Sequence, residues 1–196
     1  MRAAIWGLTR APEEPDDALS DAVRALARRY DAPVFLPHLT IVGTLSLPDE
    51  ASVRAAAEIV REAARACPRV EFEATLTLEA GPPQHSADPL RAVVLPTSSP
   101  PELLALRSDL IAALTARGLR HASAAERFTP HFSLLYGDLP ETTREQIVAL
   151  ARVRALTGRK RVTSLALASA GGPDWSAVSR WRVLATAALL VSKNMS

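Results

Sequence analysis

One eight-residue phrase occurs twice in this chain, and the duplication restricts the fold more than any other feature. Phe35-Leu36-Pro37-His38-Leu39-Thr40-Ile41-Val42 returns as Phe128-Thr129-Pro130-His131-Phe132-Ser133-Leu134-Leu135, with His131 93 positions after His38. Leu39/Phe132, Thr40/Ser133, Ile41/Leu134 and Val42/Leu135 are conservative pairs. Each copy runs on to a glycine, Gly43 or Gly137, and then to a helix-start signal, Leu47-Pro48-Asp49 or Leu139-Pro140-Glu141. The spacing predicts two similar halves, each giving one histidine and one hydroxyl to a shared site.

Strand geometry says what such a site could do. Side chains alternate across a strand, so His38 and Thr40 share one face while Leu39 and Ile41 take the other. His131 and Ser133 repeat the arrangement in front of Phe132 and Leu134. Two imidazoles near neutral pH can divide labour, one taking a proton from a nucleophile and the other giving one to a leaving oxygen. Two hydroxyls can donate to the non-bridging oxygens of a phosphate. The set suits phosphodiester cleavage without a metal. Which histidine is acid and which is base is left open by two nearly equivalent motifs.

The rest of the chain alternates strand-like and helix-like periods. Residues 3–8 read as a strand, and from Asp16 a helical period sets Leu19, Val23, Leu26 and Tyr30 on one face. Asp31-Ala32-Pro33 ends that helix and the first histidine phrase follows as a strand. A second helix opens at Pro48-Asp49 and closes at Pro68. Residues 70–79 alternate strictly and predict a half-buried antiparallel strand. Residues 81–89, rich in proline and glycine, are expected to be irregular, to join the halves, and to be capable of forming a flap. Residues 91–95 read as a strand, and Leu103, Leu106, Leu110 and Leu114 as the inner face of a helix stopped by Gly118. A polar connector at 120–127 leads to the second phrase, a helix over 141–156, and strands over 161–168 and 180–190 around Gly171-Gly172-Pro173-Asp174.

Other candidates carry less chemistry. A single histidine at a strand entrance is ordinarily just a polar residue there; the co-registered pair is what argues for catalysis. His85 and His121 fall in polar loops and read as solvated. No histidine has the close spacing or carboxylate company of a metal ligand, so no metal or cofactor is expected. Cys67 is the only cysteine, which rules out an internal disulfide and a cysteine zinc site. Arg152, Arg154, Arg159, Lys160 and Arg161 read as a solvated helix end and turn. Trp6 and Trp181 read as core, and Trp175 as the tryptophan with the best chance of exposure. Arg127 is near the second phrase but has only its position to recommend it. At 48% apolar residues a packed core is affordable, and a net charge of +2 does not announce a nucleic-acid coat. The longest apolar run, residues 183–191, is too short to span a bilayer. The beginning of the sequence lacks the basic and apolar blocks of a signal peptide, so a cytoplasmic, non-membrane, monomeric protein is expected.

Two H-x-[ST]-hydrophobic motifs in a chain of this size resemble the 2H phosphoesterase superfamily. Pro130-His131-Phe132-Ser133-Leu134-Leu135-Tyr136-Gly137 looks especially like its cyclic phosphodiesterase branch, as does the opening Ala4-Ile5-Trp6-Gly7-Leu8. The resemblance implies an α+β fold of two pseudo-symmetric lobes in a single domain over residues 1–196, joined near 80–90, with antiparallel sheets lining a central cleft and helices outside. It implies His38 and His131 as catalytic residues and Thr40, Ser133 and Tyr136 as phosphate-binding ones. Alternation alone puts Tyr136 on the face opposite His131, so its role requires a bulge or the end of the strand. The implied reaction is hydrolysis of a ribose cyclic phosphate, either ADP-ribose 1″,2″-cyclic phosphate or a nucleoside 2′,3′-cyclic phosphate, to a monoester. Two rivals stand beside it. One is an RNA 2′,3′-cyclic phosphodiesterase or 2′-5′ RNA ligase-like enzyme acting on RNA ends, which would need a longer basic track; the other is a non-catalytic nucleotide or RNA-binding module.

Overall fold

In the computed structural model, which describes residues 1–12, 14–15, 17–67, 76–122, 127–153, 156–170 and 174–189, the two phrases become neighbouring antiparallel strands. The described elements are β1 (Arg2–Leu8), α1 (Ala18–Tyr30), β2 (Leu39–Ser46), α2 (Glu50–Ala66), β3 (Leu76–Ala80), β4 (Gln84–His85), β5 (Val93–Pro96), α3 (Pro101–Ala116), β6 (Arg120–His121), β7 (His131–Leu135), α4 (Glu141–Val153), β8 (Gly158–Val162), β9 (Ser164–Ser169) and β10 (Arg182–Ala188). An eight-stranded sheet runs β10-β9-β1-β2-β7-β5-β4, with β6 also on β2, and β3 and β8 form a separate antiparallel pair. This is the α+β architecture with antiparallel sheets expected from the sequence. Between the two histidine strands the only residue pair is Leu39–Phe132, so two smaller sheets meet edge to edge at the phrases themselves.

Alternation decides which side chains go where. On one face Ile5, Leu39, Phe132, Leu165 and Leu167 are buried under the helices, each contributing roughly 1.5–3 kcal/mol by leaving water. Helices α2 and α3 cover the β9, β10 and β2 side, and α1 and α4 cover β7, β5 and β4. The halves of the sequence therefore interleave: α1 comes from the first half and packs on the second phrase. The other face carries Ala4, Trp6 and Leu8 of β1 and Ala166 and Ala168 of β9.

Local signals set the helix starts. Asp17 caps α1 by accepting from the Ser20 amide, and Asp49 and Ser52 form a reciprocal capping box on α2, an arrangement that contributes about 1 kcal/mol. Several boundaries differ from the sequence expectation, each for a local reason. Strand β2 begins at Leu39, leaving His38 at its entrance. Residues 81–89 are not irregular throughout: Gln84 and His85 pair with Val94 and Val93, and Asp88 caps a 3-10 turn, Pro89–Arg91, that takes Arg91 out of β5. Arg120 and His121, expected in a connector, pair with Ser46 and Leu45. The strand expected over 161–168 is divided at Thr163, whose amide donates to the Leu8 carbonyl, so that β8 and β9 enter different sheets. Residues 175–180 form a 3-10 turn ahead of β10; α4 is described as far as Val153, the next two residues lying outside the described ones. The 70–75 part of the expected alternating strand, Pro68, Arg154 and the 171–173 turn lie outside the described residues.

Both histidine strands carry a bulge at the same place. Trp6 faces Thr40 while the adjacent Ile5 faces Val42, and Val94 faces Ser133 while the adjacent Val93 faces Leu135. In each case the residues two and four after the histidine oppose consecutive partners, which inserts one extra residue and reverses the alternation beyond it. Ile41 and Val42 consequently both enter the core, as do Leu134 and Leu135.

Candidate active site

The bulges bring side chains to the cleft that a regular strand would turn away. Past the bulge of β7, Tyr136 lies on the same side as His131; past that of β2, Gly43 and Thr44 lie on the side of His38 and Thr40. These residues, with Trp6, Asp88, Leu90, Arg91 and Trp181, line one cleft of ≈ 290 Å³. That is at the lower end of the size of ligand pockets, ~300–1,000 Å³. Continuing the Leu39–Phe132 register by one residue each way sets His38 opposite Ser133 and His131 opposite Thr40, so each half's histidine faces the other half's hydroxyl.

The two histidines are held identically. His38 Nδ1 lies 2.8 Å from the Leu36 carbonyl and His131 Nδ1 lies 2.8 Å from the Thr129 carbonyl. A carbonyl only accepts, so each Nδ1 carries a proton and donates, leaving Nε2 as the nitrogen available to the cleft. Pro37 and Pro130, both buried, fix the backbone immediately before each ring.

Their surroundings differ sharply. His38 is 3% exposed, stacked on Trp6 at 3.8 Å and 14°, with Trp181 at 5.9 Å and Phe35 at 6.2 Å closing the box. Burial in this box pushes its pKa down to about 4, against the bond to Leu36, and His131 pushes the same way. His131 is only half-buried. Its pKa is also lowered, first by burial and further by Arg91, but Asp88 opposes the shift. Arg91 Nη2 donates to Thr129 Oγ1 at 3.1 Å, so the residue whose carbonyl orients His131 also anchors a guanidinium in the cleft. His38 is thus the apolar, neutral member of the pair and His131 the member among charges.

Of the residues singled out from the sequence, His38, Thr40, His131 and Tyr136 meet in the cleft. Ser133 shares their face of the sheet but is buried and not part of the cleft lining, with its side chain hydrogen-bonded to Tyr136. Burial pushes the Tyr136 phenol up to about 12, which keeps its proton in place near neutral pH. Trp6 is core as expected but is also the floor under His38; Trp181, expected in the core, is half-buried at the rim, 5.6 Å from Tyr136. Trp175 is half-buried away from the cleft lining. His85 lines a separate groove with Arg152, and His121 Nε2 lies 3.1 Å from Thr115 Oγ1. Arg159 is 3.6 Å from Glu79, and Arg127 is exposed and lines none of these cavities. Among the described residues no cluster of three metal-ligating side chains occurs, and no helix is long and apolar enough to cross a membrane.

Sequence reasoning missed Arg91, Asp88, Phe35 and Thr44. The first two fall in or beside the segment recognised as a possible flap. Thr44 has a backbone φ of 53°, a conformation that costs a β-branched residue about 1–2 kcal/mol and that clusters at functional sites. Its one sequence signal is the Gly43 before it.

Comparisons with known proteins agree with this geometry. The family model of the 2'-5' RNA ligase superfamily matches residues 12–174. Among curated proteins, none matches the sequence. Among solved structures, TT0787 of Thermus thermophilus superposes with a TM-score of 0.59 at 16% identity, covering 96% of this chain and 98% of its own. Escherichia coli LigT complexed with NADP+ gives 0.55 at 16% identity, over 95% and 96% of the two chains. A further structure described as a phosphoesterase gives 0.54 at 15% identity, over 95% and 97%. At such identities these neighbours speak for the fold, and the family match speaks for kinship. With two H-x-[ST] motifs converging on one cleft of a LigT-like fold, the chain belongs to the 2'-5' RNA ligase superfamily of 2H phosphoesterases.

Proposed function

We propose that this protein hydrolyses a ribose cyclic phosphate to a phosphomonoester, with His38 as general base and His131 as general acid. The observation that carries the reading is the pair of identical Nδ1–H···O=C clamps, which leaves two Nε2 atoms for one cleft, one in an aromatic box and one beside Arg91 and Asp88. Burial lowers both pKa values, that of the boxed His38 to about 4, so His38 is neutral and available as a base, while Asp88 opposes the lowering at His131 and favours its protonated form. The productive state pairs a neutral His38 with a protonated His131. A bound phosphate anion opposes the lowering at His131, because a nearby negative charge favours the imidazolium.

In this account His38 Nε2 takes a proton from water as the water oxygen bonds to phosphorus. The bond from phosphorus to one ribose oxygen breaks, and His131 Nε2–H protonates that oxygen. The imidazolium formed at His38 is stabilised by the face of Trp6, a cation–π contact of about 1–2 kcal/mol in a desolvated site. Arg91, Thr40 and the Tyr136 phenol are the donors for the non-bridging oxygens. Ser133, given a direct phosphate role by the family resemblance, supports the reaction by orienting Tyr136. Nucleotide 2′,3′-cyclic phosphates, free or at an RNA end, and ADP-ribose 1″,2″-cyclic phosphate all present the required diester. The family name and the nucleotide in the LigT complex favour the nucleotide end.

The test is hydrolysis of a panel of these three substrate types with chelator present. Turnover of at least one, resistant to chelation and lost on His38→Ala and on His131→Ala, is the expected result. Tight nucleotide binding without turnover on any member would leave a binding module instead.

A further inference from the structure

The catalytic cleft shares a wall with a second cavity. Trp6 and Trp181 line both, and the second, also ≈ 290 Å³, is bounded beyond them by Arg10, Arg24 and Arg182 together with Phe35. The cation at Arg182 is fixed beside Trp181, since its Nη1 donates to the Trp181 carbonyl at 2.9 Å and to the Ser179 carbonyl at 3.0 Å. Arg10 is fixed from the other side, with Nε donating to the buried Ser20 hydroxyl at 3.2 Å and Nη1 to the Ala11 and Glu14 carbonyls. Arg24 is exposed on the helix face that Ser20 begins. The combination is a guanidinium-rich chamber with aromatic and aliphatic walls, which suits an anion attached to a flat ring system.

The chemistry of the substrate supplies such a group. A ribose whose cyclic phosphate lies between the histidines carries its 5′-oxygen at the other end of the sugar. In an RNA end that oxygen bears the phosphodiester to the preceding nucleotide; in ADP-ribose cyclic phosphate it bears a pyrophosphate leading to adenosine. We propose that the arginine-lined cavity behind Trp181 binds the phosphate on the ribose 5′-oxygen and the nucleoside attached to it. This rests on the cyclic-phosphate reading above and adds to it a second subsite that a mononucleoside substrate leaves empty.

The experiment compares kcat/KM for a nucleoside 2′,3′-cyclic phosphate with a 5′-hydroxyl, the same compound with a 5′-phosphate, a dinucleotide with a cyclic end, and ADP-ribose 1″,2″-cyclic phosphate. Wild type is run beside the double variant Arg24→Gln/Arg182→Gln and beside Arg152→Gln, which alters the groove beyond His85. In wild type the 5′-phosphate raises kcat/KM about tenfold or more, as charge-assisted hydrogen bonds do. The arginine double variant loses that advantage and leaves the 5′-hydroxyl substrate unchanged, while Arg152→Gln changes neither. A further gain for the dinucleotide or for the ADP-ribose compound supports the nucleoside part and names its source; no further gain overturns that part. Equal rates with and without the 5′-phosphate, an advantage that survives in the double variant, or one lost in Arg152→Gln overturns the assignment. Binding is measured in parallel on His38→Ala/His131→Ala with nucleoside 3′-monophosphate and nucleoside 3′,5′-bisphosphate. Tighter binding of the bisphosphate that needs Arg24 and Arg182, with no turnover by wild type, would sink the hydrolase reading and keep the subsite.

Discussion

The imidazole of His38 lies 3.8 Å from the Trp6 ring and within 14° of parallel to it, the closest aromatic contact of a site otherwise built from edge-on neighbours. The contact follows from register: Trp6 faces Thr40 across β1 and β2, which puts it under the histidine two residues earlier. An imidazole so enclosed stays neutral, and its folded state resists protonation.

That resistance has a sign and a pH window. The pKa of His38 is about 4 in the folded chain and near 6.5 when unfolded, so between these values the unfolded state binds more protons. Stability from this group is complete above pH 6.5 and falls as pH drops towards 4, by at most roughly 3 kcal/mol. Denaturant melts at pH 7 and pH 4.5 should show wild type losing more stability than His38→Phe. Carboxylates such as Asp17 and Glu58 contribute equally to both proteins and cancel. An identical loss in the two would contradict the burial of a neutral imidazole.

Tyr136 and Ser133 should behave as one unit. Tyr136→Phe removes the phenol proposed as a phosphate donor, and Ser133→Ala removes the hydroxyl hydrogen-bonded to it. Each is expected to lower kcat about tenfold, and the double variant little further, since interacting residues are not additive. Independent, multiplying effects would mean that Ser133 contacts the phosphate itself.

The first strand is packed too closely to grow. A Cβ at Gly7 would sit 2.9 Å from Cγ1 of Val162, a buried β-branched side chain that cannot swing aside. Gly7→Ala should cost about 1–3 kcal/mol, with part recovered in Gly7→Ala/Val162→Ala. Chemical denaturation measures both. A neutral Gly7→Ala would show that β8 can withdraw from β1.

The repeat made the histidine strands legible, because both phrases combine a proline, a histidine and strict apolar backing. Helix starts were legible at Pro48-Asp49 and Pro140-Glu141 for the same reason: they are local. What escaped depends on pairing between distant segments. The bulges are visible only when Thr40 and Val42 are set against Trp6 and Ile5, yet they decide that Tyr136 enters the cleft. Gln84–His85 and Arg120–His121 are too short to carry a periodicity and become strands only because an edge is available. Trp181 reads as core by composition, since nothing in its own sequence tells that the face opposite the helices holds a cleft.

The central claim, that two histidines share one cleft as base and acid, is tested most directly by the pH dependence of kcat/KM on a nucleoside 2′,3′-cyclic phosphate. Wild type should give a bell, with its acid limb set by protonation of His38 and its alkaline limb by loss of the proton from His131. His38→Asn should abolish the acid limb and His131→Asn the alkaline limb, each lowering the maximum by about 10²–10⁴-fold. Limbs lost in the opposite order would exchange the two roles, and a bell that survives either substitution would contradict the account.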